Sequence, residues 1–316
     1  MTESIKIRVS TYLLGEPVRY DGGHKRNRYV TDIFSEFFQF VPVCPEVECG
    51  MPIPRESMRL VGDPKNPRLL TTKTKIDHTN QMTQWAKSRV KELEREELCG
   101  YIFKKDSPSS GLFRVKVYTE KGMPHKVDIG VWARAFTEHF PLIPVEEEGR
   151  LNDPHLRENF IERIITMKCW RETPAKRRSV GSIVDFHTRH KLLILSHSPN
   201  HYRAMGKLVA TGKSLPIKEL YATYETLLTE ALRLRTTLKK NSNMLQHMLG
   251  YFKKQLTSDE KQELLEIIDD YRKGLVPLVV PVTLFNHFVR KYRQLYLAQQ
   301  VYLRPHPVAL KLRSHV

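Results

Sequence analysis

The chain has 316 residues, 40% hydrophobic and 28% charged, with 52 Lys and Arg against 35 Asp and Glu for a formal net charge of +17. That length exceeds one typical core and predicts two domains. No apolar run approaches the roughly 20 residues that cross a bilayer, and the first residues do not read as a charged-then-apolar leader, so a soluble, cytoplasmic protein with no membrane contact is expected.

In chain order, Ile5–Gly15 alternates and then turns apolar, as a first buried strand does. A loop with Gly22 and Gly23 follows, where the backbone can approach a ligand closely. Ile33, Phe34, Phe37 and Phe38 fall at helical spacing and predict a helix over 31–40. The run Phe40-Val-Pro-Val-Cys44 reads as a strand that delivers Cys44, Glu46, Cys49 and Arg55 to a proline-stiffened loop. A helix over 78–97 is predicted from Met82, Trp85, Ala86 and Val90, with Asp77 or Thr79 as its cap. Cys99–Phe103 is a third strand, running into the loop 104–111, and a last short strand and acidic turn lie between Pro141 and Pro154. Strand, helix and strand in alternation predict an α/β fold: a doubly wound, mainly parallel sheet over residues 1–157, with the loops 10–25, 44–55 and 104–111 meeting on one edge.

Residues 158–316 read as an all-α domain. Helices are predicted over 184–195, 217–234, 244–256 and 259–273, the last starting at Ser258 and stopping at Gly274. The segment 302–313 is expected to be extended and packed on them. The basic run Lys176-Arg177-Arg178 reads as a solvated linker. Charge divides unevenly: residues 1–157 hold 25 Lys and Arg against 22 Asp and Glu, whereas 158–316 hold 27 against 13, a net of +14. An excess of that size in one half points to a polyanionic partner, whose phosphates release counterions on binding. Arg189, Lys191 and Arg203 are expected in a phosphate-facing surface. Asp185, His187, His190, His197 and His201 fit buried histidines bonded across helices, or part of that phosphate-facing surface, better than a zinc site, and Tyr251, Tyr271, Tyr292, Tyr296 and Tyr302 read as core or rim residues.

Four cysteines, at 44, 49, 99 and 169, are too few for a disulfide framework in a chain this long; reduced thiols or metal ligands are expected. Read on their own, Cys44 offers a thiolate, Glu46 a proton acceptor and Arg55 a fixed positive charge.

Three ordered motifs, Val9-Ser-Thr-Tyr-Leu-Leu-Gly15 with Pro17-Val-Arg-Tyr-Asp-Gly-Gly23, Val41-Pro-Val-Cys-Pro-Glu-Val47 with Gly50-Met-Pro-Ile-Pro-Arg55, and Ser107-Pro-Ser-Ser-Gly111, resemble the thiouracil desulfidase (TudS) family. Asp185-Phe-His-Thr-Arg-His-Lys-Leu-Leu193, Leu195-Ser-His-Ser198 and Leu245–Phe252 resemble the YbgA-like helical domain. Together they look like the longer desulfidases that act on 4-thiouridine in tRNA. The resemblance implies a [4Fe–4S] cluster held by three cysteines, whose open iron takes the sulfur of a thiolated pyrimidine while water supplies the carbonyl oxygen. It implies catalytic roles for Glu46 and Ser107 and substrate contacts for Arg19, Asp21 and Arg55. Of the three ligand positions this sequence keeps Cys44; Tyr12 and Ser110 stand at the other two, where a phenol and a hydroxyl are poor substitutes for a soft thiolate. Cys49, and beyond it Cys99, are the expected replacements. A cluster-less, non-catalytic RNA-binding descendant and a desulfidase of free thiolated bases are the alternative functions.

Overall fold

A computed structural model of the chain describes residues 4–173, 178–310 and 312–315. It divides into two compact units, with the break after Asp153 rather than after the expected 157. Lys176 and Arg177 of the basic run lie outside the described residues. No helix among the described residues is long and apolar enough to cross a membrane.

The first unit is α/β. Its strands are β1 (Ile5–Ser10), β2 (Phe38–Val43), β3 (Met58–Val61), β4 (Arg68–Thr71), β5 (Gly100–Phe103), β6 (Val115–Tyr118), β7 (Pro124–Asp128) and β8 (Val145–Glu147). Its helices are α1 (Pro45–Glu48), α2 (Thr79–Leu93) and α3 (Val131–His139). One sheet runs β2–β1–β5–β8, parallel throughout, with Ile7 beside Phe40 and Val9 beside Ile102. The chain leaves β1 toward one side to form β2 and returns to the other side to form β5. The carboxyl ends of β1 and β5 therefore diverge at a switch point, where open sheets of this kind form a crevice.

Trp132 and Phe136 of α3, Ala86, Val90 and Leu93 of α2, and Tyr101 and Phe103 of β5 form one buried cluster against this sheet. The Trp132 indole donates to the Tyr101 hydroxyl at 2.7 Å, so the buried indole N–H is satisfied.

A second, mixed sheet, β4–β3–β6–β7, was not legible as such. Met82 of α2 packs on it with Leu60, Leu69, Val115 and Val117. The helix expected over 31–40 is corrected to a π turn at Tyr29–Ile33 and a 3-10 turn at Phe34–Glu36. Phe38, placed in that helix by its spacing, already pairs with Ile5 in the parallel ladder.

The second unit is helical: α4 (Pro154–Glu172), α5 (Val180–His197), α6 (Pro199–Ala210), α7 (Ile217–Arg233), α8 (Leu238–Leu249), α9 (Ser258–Arg272), α10 (Val279–Lys291) and α11 (Leu295–Ala298). Four of its starts, those of α5, α6, α8 and α9, are set by side-chain caps. Ser179, Ser198 and Thr237 each accept a first-turn N–H, and Thr257 with Glu260 forms a full capping box, one residue before the expected Ser258. Gly274 follows α9 at φ 76°, the left-handed stop that glycine adopts freely. Trp170 anchors the core, 4.9 Å from Tyr224 and 5.1 Å from Phe186 between ring centres. The closing segment forms 3-10 turns at Val301–Leu303 and Val308–Leu310 rather than an extended strap. Buried Arg313 ties it down, bonding Glu158 at 3.1 Å and Glu162 at 2.9 Å on α4 and the Tyr302 carbonyl at 2.6 Å.

Candidate functional site

The three loops that follow β1, β2 and β5 converge on a cleft of about 320 Å³ at the switch point. Tyr12, Arg19, Tyr20 and Lys25 come from the first loop, Glu46, Arg55 and Glu56 from the second, and Lys104, Lys105, Asp106 and Ser107 from the third.

Each loop is fixed by its own bonds. After β1 a 3-10 turn, Thr11–Leu14, closes on Gly15 at φ 99°, and the Tyr12 carbonyl accepts the N–H of Gly15 at 3.4 Å and of Lys25 at 3.1 Å. After β2, Pro45 opens α1 at a position whose N–H would have no partner, and Glu48 accepts the Cys44 N–H at 3.1 Å. Arg89 holds that carboxylate from α2 at 3.1 Å. After β5 the loop is pinned from two sides. The first N–H groups of α3 donate to Pro108 and Ser109 carbonyls, while Glu147 accepts the N–H groups of Leu112 and Phe113 and Glu148 that of Lys105. Glu147 and Glu148 belong to the acidic stretch read only as a closing turn; the carboxylates hold the site loop.

Glu46 is the centre of this arrangement. It is buried, with Arg55 Nη2 3.8 Å from Oε2, and it accepts a short hydrogen bond from Ser109 on Oε1. The Cys44 thiol donates to Oε2 at 3.5 Å. Ser107 Oγ lies 2.9 Å from Ser109 Oγ, so the loop serines form a bonded row leading from the cleft to the carboxylate. Residue type alone does not single out Ser109 within Ser107-Pro-Ser-Ser-Gly111; its burial, deeper than either neighbour, and its bond to the carboxylate mark it as the residue that orients Glu46.

The expected site residues separate into two sets. Tyr12, Arg19, Glu46, Arg55 and Ser107 line the cleft; Cys44, Cys49, Ser110 and Asp21 do not. Asp21 accepts the Gly23 N–H at 3.0 Å and pairs with Arg19 at 3.1 Å, which makes it a turn former. Cys44 lies behind Glu46, and burial, with the Glu46 charge beside it, pushes its thiol up to about 12. Burial and the same carboxylate push Cys49 up to about 11. Desolvation and the Glu46 charge hold half-buried Tyr12 well above the ordinary phenol value.

The other two candidate cysteines lie away from the cleft. The Cys49 thiol bonds the Glu46 carbonyl at 3.2 Å and packs against Met51 and Met82, away from the cleft. Cys99 precedes β5, its N–H bonded to Lys6 at the start of β1, so it sits at the opposite end of the sheet from the three loops. Tyr12, Cys44 and Ser110 together supply one sulfur, and this donor set does not fit a [4Fe–4S] cluster.

On the helical unit Arg189 pairs with Asp185 at 2.7 Å, Arg203 with Asn200 at 3.4 Å, and the Lys191 ammonium sits 4.8 Å over the Tyr296 ring. Two residues apart on α5, Arg189 and Lys191 diverge by about 200° and do not share a face. The histidines find separate partners: His187 the Tyr224 hydroxyl, His190 the Phe186 carbonyl, His197 the Leu234 carbonyl and Glu162, and His201 the Ser198 hydroxyl. Among the described residues the three-donor group that does come together, Glu158, Glu162 and His306, already carries the Arg313 guanidinium on both carboxylates.

Residues 7–148 match the 2-thiouracil desulfurase family, and residues 191–307 match a family described as a protein of unknown function, DUF1722. The uncharacterized protein YbgA of Escherichia coli K12 is 32% identical over 134 residues, 42% of this chain and 79% of that protein. A solved [4Fe-4S]-dependent thiouracil desulfidase, TudS, is 27% identical, with the match covering 48% of this chain and 95% of that one at a TM-score of 0.39.

Proposed function

Because the chain belongs to the YbgA-like family and carries a 2-thiouracil desulfurase-family domain ahead of that helical unit, we propose that its cleft takes a thiolated uracil presented by RNA. The observation that carries this reading is Glu46: a buried carboxylate, oriented by Ser109 and Arg55, facing a cleft of about 320 Å³ at the switch point. A pyrimidine ring N–H needs such an acceptor. Arg19, Lys25 and Lys105 at the cleft wall suit the phosphates on either side of the base, and the net charge of +14 on residues 158–316 suits the rest of a folded RNA.

A second reading is favoured by the retention of Glu46 and Ser107 on the cleft wall. Sulfur exchange needs no electron transfer: a thiocarbonyl and water give a carbonyl and hydrogen sulfide. Glu46 would take a proton from the attacking water, and the departing sulfur would leave as hydrosulfide.

Both readings are tested by titrating the full chain with a stem-loop RNA bearing one 4-thiouridine, against the same RNA with uridine, while assaying released sulfide. Tighter binding of the thiolated RNA is expected, with log affinity falling steeply against log salt. Equal affinity for the two RNAs, or indifference to salt, contradicts the first reading; thiolated RNA bound without sulfide release contradicts the second.

A further inference from the structure

We propose that this cleft works without an iron–sulfur cluster, and that Tyr12 occupies a lost ligand position as a hydrogen-bond donor to the C4 substituent of a bound uracil-type base. The inference rests on the reading that the cleft takes a pyrimidine.

The first observation is what the cleft wall contains. Tyr12 and Glu46 line it, and none of the four cysteines does. Cys44 is turned toward Glu46, with the Val18 carbonyl 3.9 Å from its sulfur, and Cys49 toward its own helix. At the third ligand position Ser110 is 2% exposed. Its loop cannot swing inward, because Trp132 and Ala133 N–H groups hold the Ser109 carbonyl at 2.9 and 3.1 Å. Gly130 packs so close that an added Cβ would lie 2.8 Å from the Ser110 nitrogen.

The second observation is an unmatched donor. Among the described residues no hydrogen bond satisfies the Tyr12 hydroxyl, although its backbone is clamped by Gly15 and Lys25. On the same cleft wall Glu46 has spent about two of its roughly four acceptor positions, on Ser109 and Cys44, while Arg55 at 3.8 Å pairs with it by charge alone. A donor and free acceptor capacity line the same cleft.

That pair has a definite complement. The edge of uracil or 4-thiouracil offers an acceptor at C4 beside a donor at N3, which matches Tyr12 and Glu46 in order. Cytosine offers the reverse, a donor at C4 and an acceptor at N3, and would leave both groups unmet. The base is held by its edge, with no iron to draw the sulfur away.

The test uses the full chain. Iron and acid-labile sulfide are measured after anaerobic reconstitution, and RNA carrying a single 4-thiouridine, uridine or cytidine is titrated into wild type and Tyr12→Phe. Expected are essentially no iron, cytidine binding weaker by about ten-fold or more, and a loss of about five-fold for 4-thiouridine RNA on Tyr12→Phe. Near four irons and four sulfides per chain would overturn the cluster-free inference while leaving the pyrimidine reading intact. No iron and no preference among the three bases would overturn the pyrimidine reading itself. Preference retained unchanged in Tyr12→Phe would overturn the role of Tyr12.

Discussion

Gly130→Ala tests whether the third loop is as rigidly seated as the site requires. Gly130 has φ −64°, which any residue adopts, so the change carries no backbone penalty of its own. Its cost is steric: the new Cβ would meet the Ser109 carbonyl oxygen at 2.4 Å and its carbon at 2.5 Å. These are backbone atoms, fixed by the N-terminal N–H groups of α3, and no flexible side chain can yield in their place. Overpacking of this kind costs about 1–3 kcal/mol. At roughly 2–4 °C per kcal/mol for a unit of this size, the midpoint of the α/β unit should fall by about 2–12 °C. The same displacement moves Ser109, so affinity for thiolated RNA should drop with it. Gly206→Ala on α6 is the control, since nothing lies within 4 Å of the added atom there; it should stabilise by roughly 0.5–1 kcal/mol. Thermal unfolding followed by fluorescence, with Trp132 beside the loop, reads both. An unchanged midpoint and unchanged RNA affinity in Gly130→Ala would refute the pinned-loop argument.

Tyr12→Cys with Ser110→Cys restores sulfur at both replaced positions, but the pinned loop keeps position 110 buried behind the cleft, so bound iron after reconstitution should stay near zero; a full cluster would refute the pinned-loop argument. Arg313→Met leaves the Glu158 and Glu162 carboxylates without their cation, and should cost about 3–5 kcal/mol in urea unfolding of the helical unit. Burial lowers His187 and His190 to about 4, so the unfolded chain binds more protons as pH falls below 6.5. Stability should be lost as pH falls from 6.5 toward 4, on the order of 1 kcal/mol for each imidazole. His187→Gln with His190→Gln should flatten that slope, and a slope as steep as wild type would exclude these two as its source.

The parallel sheet and the meeting of three loops were legible because β1 and the Phe40–Cys44 run are long enough to show strand patterning and end in punctuated loops. The second sheet was not: Met58–Val61, Arg68–Thr71 and Val115–Tyr118 have four residues each, too few for alternation to emerge. Phe38 misled because aromatic spacing over 33–38 mimics a helix while its backbone pairs with Ile5. At the site, Glu46, Ser107 and Arg55 were found from residue type and order, and the loss of sulfur at Tyr12 and Ser110 was visible in the sequence. Sequence spacing could not tell which way a sulfur points. Cys49 lies close to Cys44 along the chain, but one turn of α1 carries its thiol toward Met51 and Met82. Arg189 and Lys191 show the same limit, close in sequence and on different faces of α5.

The most direct test of the central claim is photocrosslinking of the full chain to RNA carrying one 4-thiouridine, with the attached residue mapped by mass spectrometry. Attachment is expected within the cleft, at Tyr12, Tyr20 or the Ser107 loop, and should be lost on competition with unlabelled thiolated RNA. Attachment confined to the helical unit, with the cleft unmarked, would contradict it.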